Sequence, residues 1–142
     1  MHSHDILAFQ GPYRFLSNFW PAPVRYGGIL FPTTEHAYQA AKSNDRNEAV
    51  RVSLLKSPGD AKRVGRTLTV RPDWEQVKEA VMLDVLRLKF ALPDLRRKLL
   101  ATGSVQLVEG NTWGDRYWGV CNGAGKNRLG VLLMQVREEC RQ

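Results

Sequence analysis

Apolar residues recur at the spacing of an α-helix over most of the chain from Asn44 onward, and this periodicity limits the fold more than any other feature. The predicted helices are residues 48–55, 60–64, 74 to about 92, 93–100 and about 128–139. Their predicted buried faces contain Val77, Val81, Val85 and Leu88 in the longest helix and Leu129, Leu132, Leu133 and Val136 in the last. The expected fold is a single α-rich, multihelical domain over residues 1–142, with residues 1–5 loosely ordered.

A small β element is predicted ahead of these helices. Two short apolar and aromatic runs, residues 24–26 and 29–31, flank Gly27 and Gly28. Two such runs around a two-residue glycine loop are typical of a β-hairpin. The hairpin leads directly into the next predicted helix.

The run Pro-Thr-Thr at residues 32–34 predicts a helix start, because proline interrupts the strand and a threonine hydroxyl can cap the helix. Glu35, Gln39 and Lys42 then share one helix face, with Tyr38 beside them, while three alanines occupy the other side. A carboxylate and an amine on one stripe can serve an active site. The alternative is a solvated face of helix-stabilising charges, and spacing alone favours this alternative.

The charge balance indicates anionic partners. Lys and Arg number 21 against 14 Asp and Glu, giving a net charge of +7, which favours phosphorylated or nucleic-acid ligands. Two cysteines make no disulfide framework, so a cytoplasmic compartment is expected. Three histidines, two of them at the N-terminus, do not match a zinc pattern, and no cofactor, metal or membrane partner is expected.

An aromatic run at residues 15–20 carries polar residues in its centre. One interpretation is a packed N-terminal loop in which Ser17 and Asn18 make turn hydrogen bonds. The functional interpretation is that Phe19 and its neighbours wall a pocket into which Ser17 and Asn18 point.

A glycine-rich loop at residues 109–127 contains two tryptophans and opens onto the last helix. Free amides at that helix N-terminus, near Lys126 and Arg128, would bind phosphate. Residues 119–126 do not match a Walker A loop, and no βαβ pattern surrounds them. The alternative is structural: Asp115 caps a turn, and Trp113 and Trp118 belong to the core.

Four segments match a known family in sequence and in order. They are FLSNF at residues 15–19, TEHAYQAAK at 34–42, WGD at 113–115 with WG at 118–119, and GAGKNRLG at 123–130. On these segments the chain resembles the NADAR (YbiA-like) family. The resemblance implies an α-rich YbiA-like fold and N-glycosidase activity on ribosylated amines.

Two substrate branches are implied by this resemblance. One comprises early riboflavin-biosynthesis intermediates, ribosylamino-pyrimidine phosphates. The other comprises nucleic acid with ADP-ribosylated guanine, in some members alongside a DNA-modifying ADP-ribosyltransferase toxin as partner. The loop containing Trp113 and the positive charge favour ADP-ribosylated guanine.

Hydrolysis of a ribose C1–N bond suggests roles for the candidate residues. Glycosidases commonly use two carboxyl groups, so we assign Glu35 to acid–base catalysis and Asp115 to a ribose hydroxyl or the water. Lys42 either forms a Schiff base with C1 or acts electrostatically beside Glu35 or a phosphate. The predicted substrate-binding residues are Ser17, Asn18, Phe19, Tyr38, Gln39, Trp113, Trp118, Gly119, Lys126 and Asn127.

Two other classes of function use the same features. A non-catalytic module that binds ADP-ribose or modified nucleic acid would keep the aromatic and glycine-rich loop without needing an acidic Glu35. A general nucleic-acid binder would depend on net charge and show steep salt dependence. Scattered basic residues disfavour the second.

Overall fold

A computed structural model describes residues 4–142, and residues 1–3, part of the segment predicted to be loosely ordered, lie outside it. Helices dominate this part of the chain, which confirms the predicted α-rich class. The elements are a 3₁₀ helix (Gly11–Leu16), β1 (Val24–Tyr26), β2 (Ile29–Phe31), α1 (Thr34–Ala40), α2 (Arg46–Ser53), α3 (Pro58–Gly65), α4 (Trp74–Lys89), α5 (Pro93–Ala101), β3 (Gly110–Asn111), β4 (Val120–Cys121) and α6 (Arg128–Cys140). No helix in residues 4–142 combines the length and apolar character needed to cross a bilayer.

The chain folds into two compact units. One comprises Asn18–Lys89, and the other comprises Phe90–Gln142 together with the N-terminal residues up to Ser17. The first contains the hairpin and α1 to α4, and the second contains α5, α6 and the glycine-rich loop.

The predicted hairpin is confirmed in the unit Asn18–Lys89. Strands β1 and β2 pair antiparallel, with Val24 opposite Phe31 and Tyr26 opposite Ile29. The backbone φ angles of Gly27 and Gly28 are 59° and 80°, a left-handed pair that glycine adopts without a Cβ penalty. The turn brings the chain straight to the start of α1.

Helix α1 is the buried centre of this unit. The side chain of Thr33 caps it by accepting a hydrogen bond from the His36 amide, at 3.1 Å. All seven residues of α1 are buried, and the helix packs against α2, α3, α4 and the hairpin. The solvated-face interpretation is therefore wrong, and Glu35 and Gln39 are interior polar residues.

The long helix α4 confirms two of its predicted core residues and corrects the other two. Val81 and Val85 are buried, whereas Val77 is only half-buried and Leu88 is 38% exposed. Lys89 lies on the buried side instead and is fully inaccessible. The helix ends at Lys89 rather than near residue 92.

In the second unit, α6 buries the four apolar residues predicted for it, Leu129, Leu132, Leu133 and Val136. A short parallel pair, β3 with β4, was not predicted and joins residues 110–111 to residues 120–121 within the glycine-rich loop. The N-terminal segment also belongs here: Ile6 bridges Leu107, and the Asp5 carboxylate accepts from the Gln106 amide at 3.0 Å.

Candidate active site

A buried carboxylate and amide form the polar face of α1. Glu35 is 8% exposed and Gln39 5%, and Gln39 Nε2 donates to Glu35 Oε2 at 2.7 Å. The side chain of Gln39 lies against the backbone of Gly65 at the end of α3, where a Cβ would overlap Gln39 Oε1. Within residues 4–142 no group donates to that buried Oε1. The predicted pairing of these two residues on one face is therefore confirmed, in an interior setting.

Lys42 lies beside this carboxylate, two residues beyond the end of α1. Burial lowers the pKa of its amine, the Glu35 carboxylate opposes the shift, and the Arg66 guanidinium adds to it. The backbone carbonyl of Lys42 accepts from the Arg71 amide at 2.7 Å, which fixes the residue outside the helix. A lowered pKa increases the neutral fraction of the amine, and the neutral amine is the nucleophilic form.

Aromatic rings border Lys42. Its Nζ lies 5.9 Å from the centroid of the Tyr38 ring, and that ring packs at 5.2 Å against the ring of Trp74. Trp74 is 7% exposed and was predicted only as the first residue of a helix. The pairing joins residues far apart in sequence, so no local pattern could have identified it.

Asn18 holds the start of α1 in place. Its Oδ1 accepts from the Thr34 hydroxyl at 2.8 Å, its Nδ2 donates to Met82 Sδ at 3.4 Å, and its backbone carbonyl accepts from the Glu35 amide at 3.2 Å. These bonds position the backbone from which the Glu35 side chain projects. Ser17 and Phe19 on either side are half-buried. The predicted contacts of all three residues with substrate stay predictions.

His36 is a structural residue that the sequence did not single out. Its Nε2 lies 3.0 Å from the Leu55 carbonyl oxygen, which can only accept, so Nε2 carries the proton. Its Nδ1 therefore accepts from the Thr33 hydroxyl at 2.7 Å. Burial lowers the pKa of the imidazole, which favours this neutral form. The ring connects the first turn of α1 to the segment after α2.

In the glycine-rich loop of the second unit, Asp115 caps a turn. Its Oδ1 accepts from the amides of Tyr117 and Trp118, at 3.1 and 2.9 Å. The amide side chain of Asn111 binds both backbone groups of Asp115. Asp115 is half-buried, and these bonds fix its carboxylate while Oδ2 has no hydrogen-bond donor within residues 4–142.

The prediction of free amides at the N-terminus of α6 is wrong. The amides of residues 126–129, at and just before the start of α6, donate to the backbone carbonyls of residues 116–119, at 2.9–3.3 Å. The bonds run from Lys126 to Arg116, from Asn127 to Gly119, from Arg128 to Tyr117 and from Leu129 to Trp118. Gly125 allows this approach, since a Cβ there would overlap the Gly119 carbonyl.

Asn127 also serves the fold. Its Oδ1 accepts from the Glu109 amide and its Nδ2 donates to the Leu107 carbonyl, both at 2.9 Å. Its backbone is left-handed, with φ 51°. The predicted contact of Asn127 with phosphate stays a prediction.

The two loop tryptophans differ in environment. Trp113 is 58% exposed, so the core interpretation is wrong for this residue. Trp118 is half-buried, and its ring meets the Tyr117 ring edge to face at 4.9 Å. The exposed Lys126 lies over the same Tyr117 ring, with Nζ 5.5 Å from its centroid. The Tyr117 ring thus contacts both Trp118 and Lys126, two predicted ligand-binding residues. Gly119, another predicted ligand-binding residue, is buried beside Glu109.

The predicted site residues therefore fall into two groups. Glu35, Tyr38, Gln39 and Lys42 come together within Asn18–Lys89, and Asp115, Trp118, Gly119 and Lys126 come together in the loop. That Glu35 and Asp115 act on one sugar stays a prediction. In the described part of the chain, no three His, Cys, Asp or Glu side chains are grouped as metal ligands.

Comparisons with known proteins identify a family, several relatives and a solved structure that are similar to this chain. A NADAR domain model matches residues 7–141. The N-glycosidase YbiA of Shigella flexneri serotype 5b (strain 8401) is 45% identical over 131 residues, covering 89% of this chain and 81% of the relative. A riboflavin biosynthesis protein of Vibrio vulnificus is 36% identical over 132 residues, 90% of this chain but 36% of the relative. The NMR structure of the E. coli protein YbiA superposes with a TM-score of 0.84 at 39% identity, over 99% of this chain and 88% of that one.

Proposed function

The chain belongs to the NADAR domain family and is an N-glycosidase, and on this basis we propose that it removes ADP-ribose from guanine bases in nucleic acid. The observation that carries the proposal is the half-buried Lys42 amine of lowered pKa beside the buried Glu35 carboxylate. A carboxyl group can protonate the departing nitrogen of a ribose C1–N bond, and a neutral amine can act as a nucleophile at C1.

The bond between ribose C1 and the guanine nitrogen breaks, and a proton from the Glu35 carboxyl group goes to the departing nitrogen. The bond between Gln39 Nε2 and Glu35 Oε2 orients that group. Water supplies the new C1–O bond and returns a proton to the carboxylate. Asp115 is proposed to bind a ribose hydroxyl or this water, through a carboxylate that the loop already fixes.

Lys42 offers a covalent route to the same products. Its neutral amine attacks C1, the guanine amine leaves with a proton, and the ribose ring opens to give a Schiff base between Lys42 and C1. Water then hydrolyses this linkage, releasing ADP-ribose and the free lysine. The lowered pKa of Lys42 supports this route, because a protonated amine cannot attack carbon.

Charge and aromatic exposure support the nucleic-acid substrate. A net charge of +7 attracts phosphodiesters, and an indole that is 58% exposed can stack on a base. Trp113 is proposed for this contact, with the exposed Lys126 near the pyrophosphate. A DNA-modifying ADP-ribosyltransferase would supply such a substrate and is the proposed partner.

A second candidate substrate is a ribosylamino-pyrimidine phosphate. The observation that favours it is the 36% identity to a protein named for riboflavin biosynthesis. The same amine and carboxyl group would act on its C1–N bond, and one phosphate rather than a polyanion would need binding.

An assay of both substrates, side by side, tests the proposal. Guanine-ADP-ribosylated DNA should yield free ADP-ribose and unmodified DNA, at a higher kcat/KM than a ribosylamino-pyrimidine phosphate yields ribose phosphate. The reverse preference would assign the chain to the second substrate. Retention of modified DNA without release of ADP-ribose would contradict the enzymatic proposal and identify a binding module.

A further inference from the structure

We propose that a cleft on the opposite side of α1 from Glu35 takes up one nucleotide of the strand that carries the modified guanine. The cleft has a volume of about 260 Å³ and lies between the hairpin, α1 and the start of α2. This inference rests on the proposed function and adds a contact outside the reacting sugar. None of the predicted site residues lines the cleft.

Short side chains create the floor of the cleft. Ala37 and Ala40 of α1, Ala49 of α2, and Ile29 and Phe31 of β2 line the cleft. Successive residues of an α-helix are rotated by about 100°, so Ala37 and Ala40 point away from the Glu35 side of α1. Ala37, Ala40 and Phe31 are at most 2% exposed, so the half-buried Ile29 and Ala49 supply the accessible apolar surface on which a flat base can pack.

One wall of the cleft is aromatic and fixed. Tyr26 lines it, and the Tyr26 hydroxyl donates to Asp84 Oδ2 at 3.2 Å. That bond holds the ring at one end while the ring itself borders the cleft. Aromatic side chains stack on bases without regard to sequence, which suits a position flanking the modified base.

The rim supplies a cation for a phosphate. Arg46 Nη1 donates to the Gly27 carbonyl at 3.2 Å, and no carboxylate within residues 4–142 forms an ion pair with Arg46. The second rim arginine, Arg71, is already paired with Asp73, Nε to Oδ1 at 2.7 Å. The charge of Arg46 is thus the one available to a ligand anion.

Polar groups of the rim fit the rest of a nucleotide. The exposed amide of Asn44 lies next along the rim and can bind a base edge or a sugar hydroxyl. The one acidic lining residue, Asp45, caps α2 by accepting from the Asn47 amide at 2.8 Å. An apolar floor, an aromatic wall, an amide and one unpaired guanidinium together match a nucleotide better than a simple anion.

The distance between the cleft and the Glu35 face of α1 is compatible with binding of another nucleotide of the same strand. A helix with its side chains is about 10–12 Å across, so the two faces of α1 lie about that far apart. A strand that reaches both faces must pass around the elements packed on α1, so at about 3.4 Å or more per nucleotide the one in the cleft lies several positions from the modified guanine.

Binding of a short, unmodified, fluorescently labelled single-stranded DNA tests the cleft directly. Arg46→Gln removes the phosphate contact, and Ala49→Leu fills the cleft without changing charge. Each should weaken binding about tenfold. Arg46→Gln should also reduce the slope of log K against log salt concentration by about 0.7, the release expected for one phosphate contact on a single strand, and Ala49→Leu should leave the slope unchanged.

Matched controls separate the cleft from general effects. Arg97→Gln removes an equal charge from an exposed residue paired with Asp94, and Val50→Leu enlarges the neighbouring, exposed position of α2. Both should bind the DNA as the unchanged protein does. Equal loss in Arg97→Gln and Arg46→Gln, or native binding by Ala49→Leu, would overturn the inference.

Turnover separates this inference from the proposed function. The two cleft variants should slow hydrolysis of ADP-ribosylated guanine within an oligonucleotide but leave hydrolysis of the free ADP-ribosylated nucleoside unchanged. If the unchanged protein hydrolyses both substrates and the variants match it on both, the cleft assignment alone fails. If the unchanged protein hydrolyses neither, the proposed function fails and the inference falls with it.

Discussion

Lys42 and Glu35 show how burial changes the chemistry of a single residue. Lys42 keeps a lowered pKa although a carboxylate lies near it, because loss of solvation outweighs the attraction. Glu35 is buried, which is uncommon for a glutamate, and its carboxylate accepts a hydrogen bond from Gln39. Both properties arise from the packing around α1 rather than from the residue types.

A trapping experiment tests the role of Lys42. Borohydride added during turnover should reduce the Schiff base and leave a covalent adduct on Lys42, detected by mass spectrometry of peptides. The kcat/KM value should rise with pH through a pKa below that of an ordinary lysine, since the neutral amine attacks. Lys42→Arg, which keeps the charge, should give no adduct. Full activity of that variant, without an adduct in the native protein, would assign Lys42 an electrostatic role.

Isosteric substitutions test the two carboxyl groups. Glu35→Gln and Asp115→Asn should each lower kcat by roughly a hundredfold or more, the scale of acid–base groups. Asn at position 115 retains an oxygen for the amides of Tyr117 and Trp118, so the fold should be kept. Glu138→Gln, at an exposed ion pair with Arg141, is the control for loss of a carboxylate. Near-native kcat in both variants, with unchanged Tm, would contradict the assignment.

At the scale of elements, the approach of α3 to α1 depends on one glycine. Gly65 lies against Gln39, whose amide is held by Glu35, so the side chain cannot swing away without breaking that bond. Overpacking of a filled interior costs about 1–3 kcal/mol. The contact between the two helices therefore supports the proposed catalytic face as well as the fold.

Gly65→Ala should lower the free energy of unfolding by about 1–3 kcal/mol and reduce kcat, because Gln39 must move. Gly59→Ala in the same helix is the matched control: its nearest neighbour is Ser57 Oγ at 3.8 Å from the added Cβ, so stability should be kept or slightly raised. Denaturant unfolding measures both. Adding Gln39→Ala should recover stability in the double variant, and additive losses would contradict the overlap.

The elements that local chemistry determines were predicted from sequence. The glycine pair fixes the hairpin turn, and the Thr33 hydroxyl fixes the start of α1. Interior contacts were not predicted in the same way. An apolar pattern selects Leu88 over Lys89, but packing of α4 sets its rotation and buries the lysine. Likewise, the first amides of α6 find their hydrogen-bond acceptors in a loop about ten residues earlier, which the helix pattern does not indicate.

At the scale of the whole molecule, stability depends on how many protons each state binds. Burial lowers the pKa of Lys89 to about 7 from the ordinary value of 10.5. The unfolded protein therefore binds more protons between these two pH values, and the free energy of unfolding rises with pH across that window. Below pH 7 Lys89 is charged in both states, and burial of its ammonium group lowers the free energy of unfolding by the largest amount.

Lys89→Met retains most of the side-chain volume and removes the titration. The difference in the free energy of unfolding, native minus variant, should increase by about 1 kcal/mol or more between pH 7 and pH 10. Chemical denaturation at several pH values measures it. The variant Lys78→Met, at an ion pair with Glu75 on the same helix, controls for loss of a lysine. A pH-independent difference would contradict the lowered pKa.

In the proposed function, the hydrogen bonds between the glycine-rich loop and the start of α6 restrict how that loop can move around a substrate. Because carbonyls of residues 116–119 hold the first amides of α6, that stretch cannot act as a swinging lid unless the helix frays with it. Hydrogen exchange at Arg128 and Leu129 should then report opening of both together, and access should depend on the tip around Trp113 instead.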